Sequence, residues 1–232
     1  MKKGILAIVI SVVLGFVFAA GLCVRALSLP VAVATGENMK IVLDAGHGGI
    51  DGGVSGKSTG VKESEINLAI CLKLKERLDE YGFEVTLTRR TDAGLYGTTA
   101  PGFKRRDMEK RKEIIERTQP LLVVSVHQNF FPSGKERGAQ VFYEKGNASG
   151  DRLAESLQSR LNALYKEEGV RERKRTTGDY YMLHMPVPSV IVECGFLSNP
   201  IDEALLCNDA FQSKLAGAIC AGVVAYLADG QA

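Results

Sequence analysis

Hydrophobic and polar positions alternate along this chain in two rhythms. Short apolar runs such as Lys40-Ile41-Val42-Leu43, Leu121-Leu122-Val123-Val124 and Ser189-Val190-Ile191-Val192 read as strands. Longer segments repeat an apolar residue every three or four positions, the period of a helix. Ile66, Ile70, Leu74 and Leu78 keep that spacing, as do Leu153, Leu157, Leu161 and Leu164. The pattern predicts strands over 40–44, 84–89, 121–127, 139–143 and 189–193, and helices over 64–81, 104–118, 151–168 and 210–227. Gly82 and Gly169 are expected helix stops, because glycine takes the left-handed conformation that ends many helices. Strands alternating with helices argue an α/β fold, a single domain of about 190 residues on a mostly parallel twisted sheet with helices on both faces.

Residues 4–24 break this rhythm: they are uncharged and strongly apolar, and they follow a basic Met1-Lys2-Lys3 start. That is the layout of a signal peptide or an amino-terminal membrane anchor, and a bilayer needs roughly 20 such residues. Ala32-Val33-Ala34 offers a small-residue cleavage site, but it lies past Arg25, away from the apolar stretch, which favours a retained anchor. Leu22, where a small residue would be needed, argues against a lipoprotein attachment at Cys23.

Charge changes the picture little. The net charge of +2 is carried by Lys2, Lys3 and Arg25, so the remainder is near neutral and lacks the one-signed field of a nucleic-acid binder. Two basic clusters, Lys104-Arg105-Arg106 with Lys110-Arg111-Lys112, and Arg171-Glu172-Arg173-Lys174-Arg175, read first as solvated faces, with contact to carboxylates or polyanions as the second reading. Five cysteines, an odd number without a Cys-x-x-Cys pair, suggest neither a disulfide framework nor a cysteine metal site. Cys71, Cys194 and Cys220 fall in apolar patterns and read as small buried hydrophobes; Cys207 is expected to be exposed.

The candidate chemistry sits at the strand ends. The chain has three histidines, and two of them, His47 in Asp44-Ala45-Gly46-His47-Gly48-Gly49 and His127 in Ser125-Val126-His127-Gln128-Asn129, directly follow strand-like runs. Glu193 likewise follows a strand, and Glu63 opens a helix. In open α/β sheets ligands bind beyond the carboxyl ends of the strands, so these groups converge. Catalytic zinc takes three nitrogen or oxygen ligands from protein and leaves one position for water, and His/Glu/His is a documented set; His47, Glu63 and His127 fit it. That water needs a carboxylate outside the ligand set to accept its proton, and Glu193 is the candidate. Each residue alone has a plainer reading, a hydrogen-bonded structural histidine or a first-turn carboxylate. Glu193 is harder to dismiss, because an unpaired charge at an apolar strand end is costly. The third histidine, His184, is assigned to a loop that touches substrate at most.

These motifs, with Glu193-Cys194-Gly195-Phe196-Leu197-Ser198-Asn199, resemble the zinc-dependent N-acetylmuramoyl-L-alanine amidases over residues 40–227. The resemblance implies hydrolysis of the amide between N-acetylmuramic acid and the L-alanine of the peptidoglycan stem peptide. By motif, His47, Glu63 and His127 take the zinc-ligand positions and Glu193 the catalytic carboxylate; Asn129 and Arg111 are carried over as substrate-binding residues. Ala45 stands where proline is usual, Gln128 where a small residue is common, and Ile115-Glu116 where Ala-Asn is frequent. Gln128, beside a ligand, is expected to narrow the groove or add a donor.

Residues 1–37 are accordingly expected to be signal peptide or anchor with linker, and 38–232 the catalytic domain, facing the extracytoplasmic side. There are no repeats, and the short Pro-Gly loop after His127 leaves no room for a helical insert, so the likeness is greatest to the single-domain, anchored sporulation amidases of the CwlD type, whose activity feeds muramic-δ-lactam formation in spore cortex. Lacking a wall-binding module, such a domain would meet peptidoglycan through its tether or through an activating or localising protein partner. A zinc peptidase acting within the stem peptide is the rival enzyme reading, but its usual His-Glu-x-x-His spacing is absent. A non-catalytic wall-binding protein would be marked by loss of a ligand or of Glu193, and all four are present.

Overall fold

The first strand, β1 (Lys40–Ala45), is followed by helix α1 (Glu63–Glu80) and β2 (Glu84–Leu87), then α2 (Phe103–Thr118), β3 (Leu122–Asn129), β4 (Gln140–Glu144), α3 (Ala148–Glu167), β5 (Thr176–Gly178), β6 (Ser189–Phe196), α4 (Pro200–Leu206) and α5 (Asp209–Asp229). These elements come from a computed structural model, which describes residues 39–230. The charge-free run at 4–24 lies outside the described residues.

The six strands form one sheet in the order β2-β1-β3-β6-β4-β5. β2, β1, β3 and β6 run parallel, β4 runs antiparallel to β6, and β5 is parallel to β4. The central strands are apolar on both faces, as a sheet covered on both sides requires. Val42, Val123 and Ile191 point to one face, where they pack with Ile115 of α2 and with Met182, Leu183 and Met185. Alternate residues Ile41, Leu43, Val124, Val190 and Val192 are fully buried, and α1, α3 and α5 pack together against the sheet. Each fully buried Leu or Ile side chain contributes about 1.5–3 kcal/mol relative to exposure.

The predicted α/β architecture is the observed one. Helix ends follow local chemistry: Asn147, Asn199 and Asn208 cap α3, α4 and α5 by accepting backbone N–H groups, and Gly82 and Gly169, just past α1 and α3, take positive φ. β6 runs three residues past its expected end at Glu193, because Cys194 and Phe196 are buried and continue its alternation. β2 stops two residues early: Arg89, expected in that strand, turns inward to bind backbone carbonyls. β5, α4 and the 3₁₀ turn Tyr181–Leu183 are absent from the sequence reading, since three to seven residues carry too little periodicity to register.

Candidate functional site

β1 and β3 are adjacent and parallel, with β6 beside β3, so their carboxyl ends deliver His47, His127 and Glu193 to one rim of the sheet, and His127 pairs in register with Glu193. The chain leaves β1 through Gly46, whose amide donates to Val126 O at 3.1 Å. A side chain at Gly46 would collide with the His127 imidazole, so this position must be glycine. His47 then adopts φ 60°, a left-handed conformation that costs a non-glycine residue about 1–3 kcal/mol and persists only when the surroundings enforce it.

Two buried arginines enforce it. Arg111 donates from Nη2 to His47 O at 2.6 Å and from Nη1 to Ala45 O at 2.8 Å; Arg89 donates to Ala45 O at 2.8 Å and Gly46 O at 3.0 Å. Arg111, expected among the substrate-binding residues, is therefore corrected: it is fully buried, its guanidinium also pairs with Asp107 and Asp44, and it offers no surface to a ligand. Asp44 is its counterion. Burial alone would raise the Asp44 carboxyl, but Arg111 and hydrogen bonds from Ser125 and Thr88 hold it down at about 2.

Glu63 is the first residue of α1 and is almost wholly buried. Its Oε2 accepts the Val54 amide at 3.0 Å, while Oε1 accepts the Gln128 amide at 3.1 Å and lies 2.9 Å from His127 Nδ1 and 3.3 Å from His47 Nε2. Burial opposes its charge, yet the two imidazoles keep its carboxyl well below the usual range. Burial likewise works against protonation of His47, but Glu63 and then Asp51, whose Oδ2 is 3.1 Å from His47 Nδ1, raise its pKa. One donor atom from each of His47, Glu63 and His127 lies within 4.8 Å of the others. A tetrahedral ion with bonds of about 2.0–2.1 Å needs donors separated by roughly 3.3 Å, so this nitrogen and oxygen set fits a zinc-sized cation.

Glu193 stands beside the triad and pairs with neither imidazole. Its Oε2 is buried and without a hydrogen-bond partner, and burial, augmented by the Glu63 charge and opposed by the histidines, pushes its carboxyl up to about 7. A carboxyl group of this kind can take up or release a proton near neutrality. Asn129, at the end of β3, is half-buried, with Oδ1 accepting the Phe130 amide at 2.7 Å.

A cavity of about 260 Å³ opens over the site, walled by His47, His127, Asp51, Lys104, Tyr180 and Tyr181 among others. The tyrosines and Asp51 were not singled out from sequence, although the Tyr180-Tyr181 pair beside His184 carried a signal, and Lys104 entered only as part of a basic cluster read first as a solvated face. His184 itself lies outside this cavity, exposed between Glu144 Oε1 at 2.7 Å and Asp179 Oδ1 at 2.8 Å. Gln128 does not narrow the groove: it is buried and donates to Asn67 Oδ1 at 3.1 Å, while Asn67 donates to Gly46 O and Glu63 Oε1.

A mostly parallel sheet that gathers two imidazoles and a carboxylate beside an unpartnered glutamate defines a hydrolytic enzyme of the α/β class. Residues 41–225 match the family model of the N-acetylmuramoyl-L-alanine amidases, and the chain belongs to that family, whose members cleave the bond between N-acetylmuramic acid and L-alanine in peptidoglycan. It is 34% identical over 192 residues to the germination-specific N-acetylmuramoyl-L-alanine amidase of Bacillus subtilis, covering 82% of this chain and 80% of the relative. The CwlD amidase of Clostridioides difficile, solved in complex with the GerS lipoprotein, superposes with a TM-score of 0.79 at 38% identity, covering 83% of this chain and all of that one. The catalytic domain of CwlV from Bacillus (Paenibacillus) polymyxa gives 0.71 at 28% identity, over 82% and 98% of the two chains.

Proposed function

We propose that this chain is a zinc-dependent amidase in which His47, Glu63 and His127 hold the metal and Glu193 moves the proton. The convergence of three donor atoms beside a buried, unpartnered Glu193 Oε2 carries this reading. Zinc bound there would supply Lewis acidity, polarising a carbonyl and acidifying water. The chain's own residues do the rest. Glu193 Oε2, in its carboxylate form, takes the proton from the attacking water and returns it to the departing L-alanine nitrogen. Tyr180 and Tyr181 wall the groove and limit solvent around the scissile amide, and Asn129, the last residue of β3, serves as a substrate contact.

The test is direct: purified peptidoglycan incubated with the protein should gain free L-alanine amino termini, detected by mass spectrometry, and lose this activity on chelation until Zn²⁺ is restored. Full turnover by metal-free protein would end the zinc assignment. Likeness to a germination-specific amidase and to CwlD supports a role in preparing spore cortex for muramic-δ-lactam formation, checked by lactam content in spores that lack the protein. The GerS complex of CwlD supports a lipoprotein-type partner here as well. The charge-free run at 4–24 supports a membrane tether that presents the domain to the wall from the extracytoplasmic side.

A further inference from the structure

The head of β4 and β5 carries a second feature that the catalytic reading leaves unused. Lys135, Arg137, Arg171, Arg173 and Lys174 surround a cavity of about 720 Å³ whose lining includes two acids, Glu136 and Glu172. Arg137 is fixed by Asp202 through Nε at 2.8 Å; Arg173 is fixed by Glu136 at 2.9 Å and lies over the Phe196 ring at 4.9 Å. Both guanidinium groups are thus oriented, yet Arg137 Nη2 and Arg173 Nε are buried without any acceptor. Buried donors without an acceptor are costly, and the two fixed guanidinium groups add positive charge to the cavity wall. Lys135, Arg171 and Lys174 have no ion-pair partner among the described residues.

The sheet register connects this cavity to the site. Because β4 is antiparallel to β6, it begins at the catalytic rim, with Gln140 directly opposite Glu193. Residues in register on neighbouring strands share a face, so His127, Glu193 and Gln140 form one row across β3, β6 and β4. Gln140 ends the row by donating to Lys174 O at 3.1 Å, and it lines the basic cavity. Two strand spacings separate β6 from β5, roughly 10 Å. About three extended residues span that distance.

We propose that this cavity is the stem-peptide end of the catalytic groove and binds the carboxylates of the residues that follow the L-alanine. The assignment rests on the amidase reading, which places the scissile amide at Glu193. Continuity with the row His127-Glu193-Gln140 favours a short acidic peptide over a separate polymer.

Binding to the full-length protein of an acetylated L-alanine tripeptide with two further free carboxylates, and of its dicarboxamide, tests this by calorimetry without any turnover. We expect the acid to bind at least ten-fold more tightly than the amide, and the exposed double variant Arg171→Glu, Lys174→Glu to erase the difference. On muramyl peptides the same variant should raise KM about ten-fold for the acid form, with kcat unchanged. Equal binding of acid and amide to the unaltered protein, or a preference that survives the charge reversal, would overturn the assignment. Tighter binding of an oligo(glycerol phosphate) than of the acidic peptide would overturn it in favour of a wall polyanion. An intact acid preference without release of L-alanine termini would uphold the cavity's ligand class and sink the amidase reading instead.

Discussion

Glu193 and Asp44 are both carboxylates at strand ends, and their surroundings drive them in opposite directions. Glu193 is pushed up to about 7 by burial without a partner, whereas Asp44 is held at about 2 by Arg111 against the same burial. The first arrangement suits proton transfer. Glu193→Gln should keep metal content and melting temperature while kcat falls by roughly 10²–10⁴, the usual worth of a general base; loss of zinc in that variant would make Glu193 a ligand. Asp44 serves stability. Asp44→Asn leaves the buried Arg111 with Asp107 as its remaining counterion and should cost about 3–5 kcal/mol in urea unfolding at neutral pH. The sign with pH follows from the depressed value. Asp44's contribution is complete above its ordinary value of 3.8 and is lost as pH falls through about 2, so the gap between the two proteins should narrow across that window. A gap constant from pH 5 to pH 2 would show that the charge is not what stabilises. The convergence of His47, Glu63, His127 and Glu193 was legible in sequence because three are chemistry-bearing residues set just after apolar runs and the fourth opens a helix. Arg111 was not read correctly, since an arginine on a polar helix looks like a surface residue until its partners Asp44 and Asp107 are known.

Long elements with a strong period were legible to within a few residues, and their order sufficed for the fold class. What periodicity does not encode is the loop from β1 to α1, which shapes the site more than any helix does. Glu203 of α4 clamps that loop: its carboxylate accepts the amides of Ser58 and Thr59 at 2.6–3.0 Å and the Thr59 hydroxyl at 2.7 Å. Glu203→Ala leaves these donors unpaired, a loss of about 1–3 kcal/mol. Amide exchange at Ser58 and Thr59 should accelerate accordingly, with exchange in β3 and β6 tracking only the global loss. Closer to the triad, Asn67 donates to Glu63 Oε1 and Gly46 O, so Asn67→Ala should weaken zinc affinity 10–100-fold in a chelator competition, the range for residues that orient ligands. Unchanged affinity would confine Asn67 to packing.

For the whole molecule, a lone groove binds a polymeric substrate weakly, because association carries a fixed entropy cost that tethering removes. Deleting residues 1–34 should therefore leave the domain folded, active on soluble muramyl peptides, and slow on intact wall. Equal rates on intact wall with and without the segment would refute the tether. The strand order carries a further consequence, for the chain before it is finished. On the proposed roles, the metal ligands lie at positions 47, 63 and 127 and the base at 193, and they meet only when β1, β3 and β6 have paired side by side. Pairings between residues so distant in sequence form late, since the loop entropy must be overcome first. A partly folded or partly synthesised chain thus has no assembled catalytic centre, and a peptidoglycan amidase built this way acquires its chemistry only once the sheet is complete.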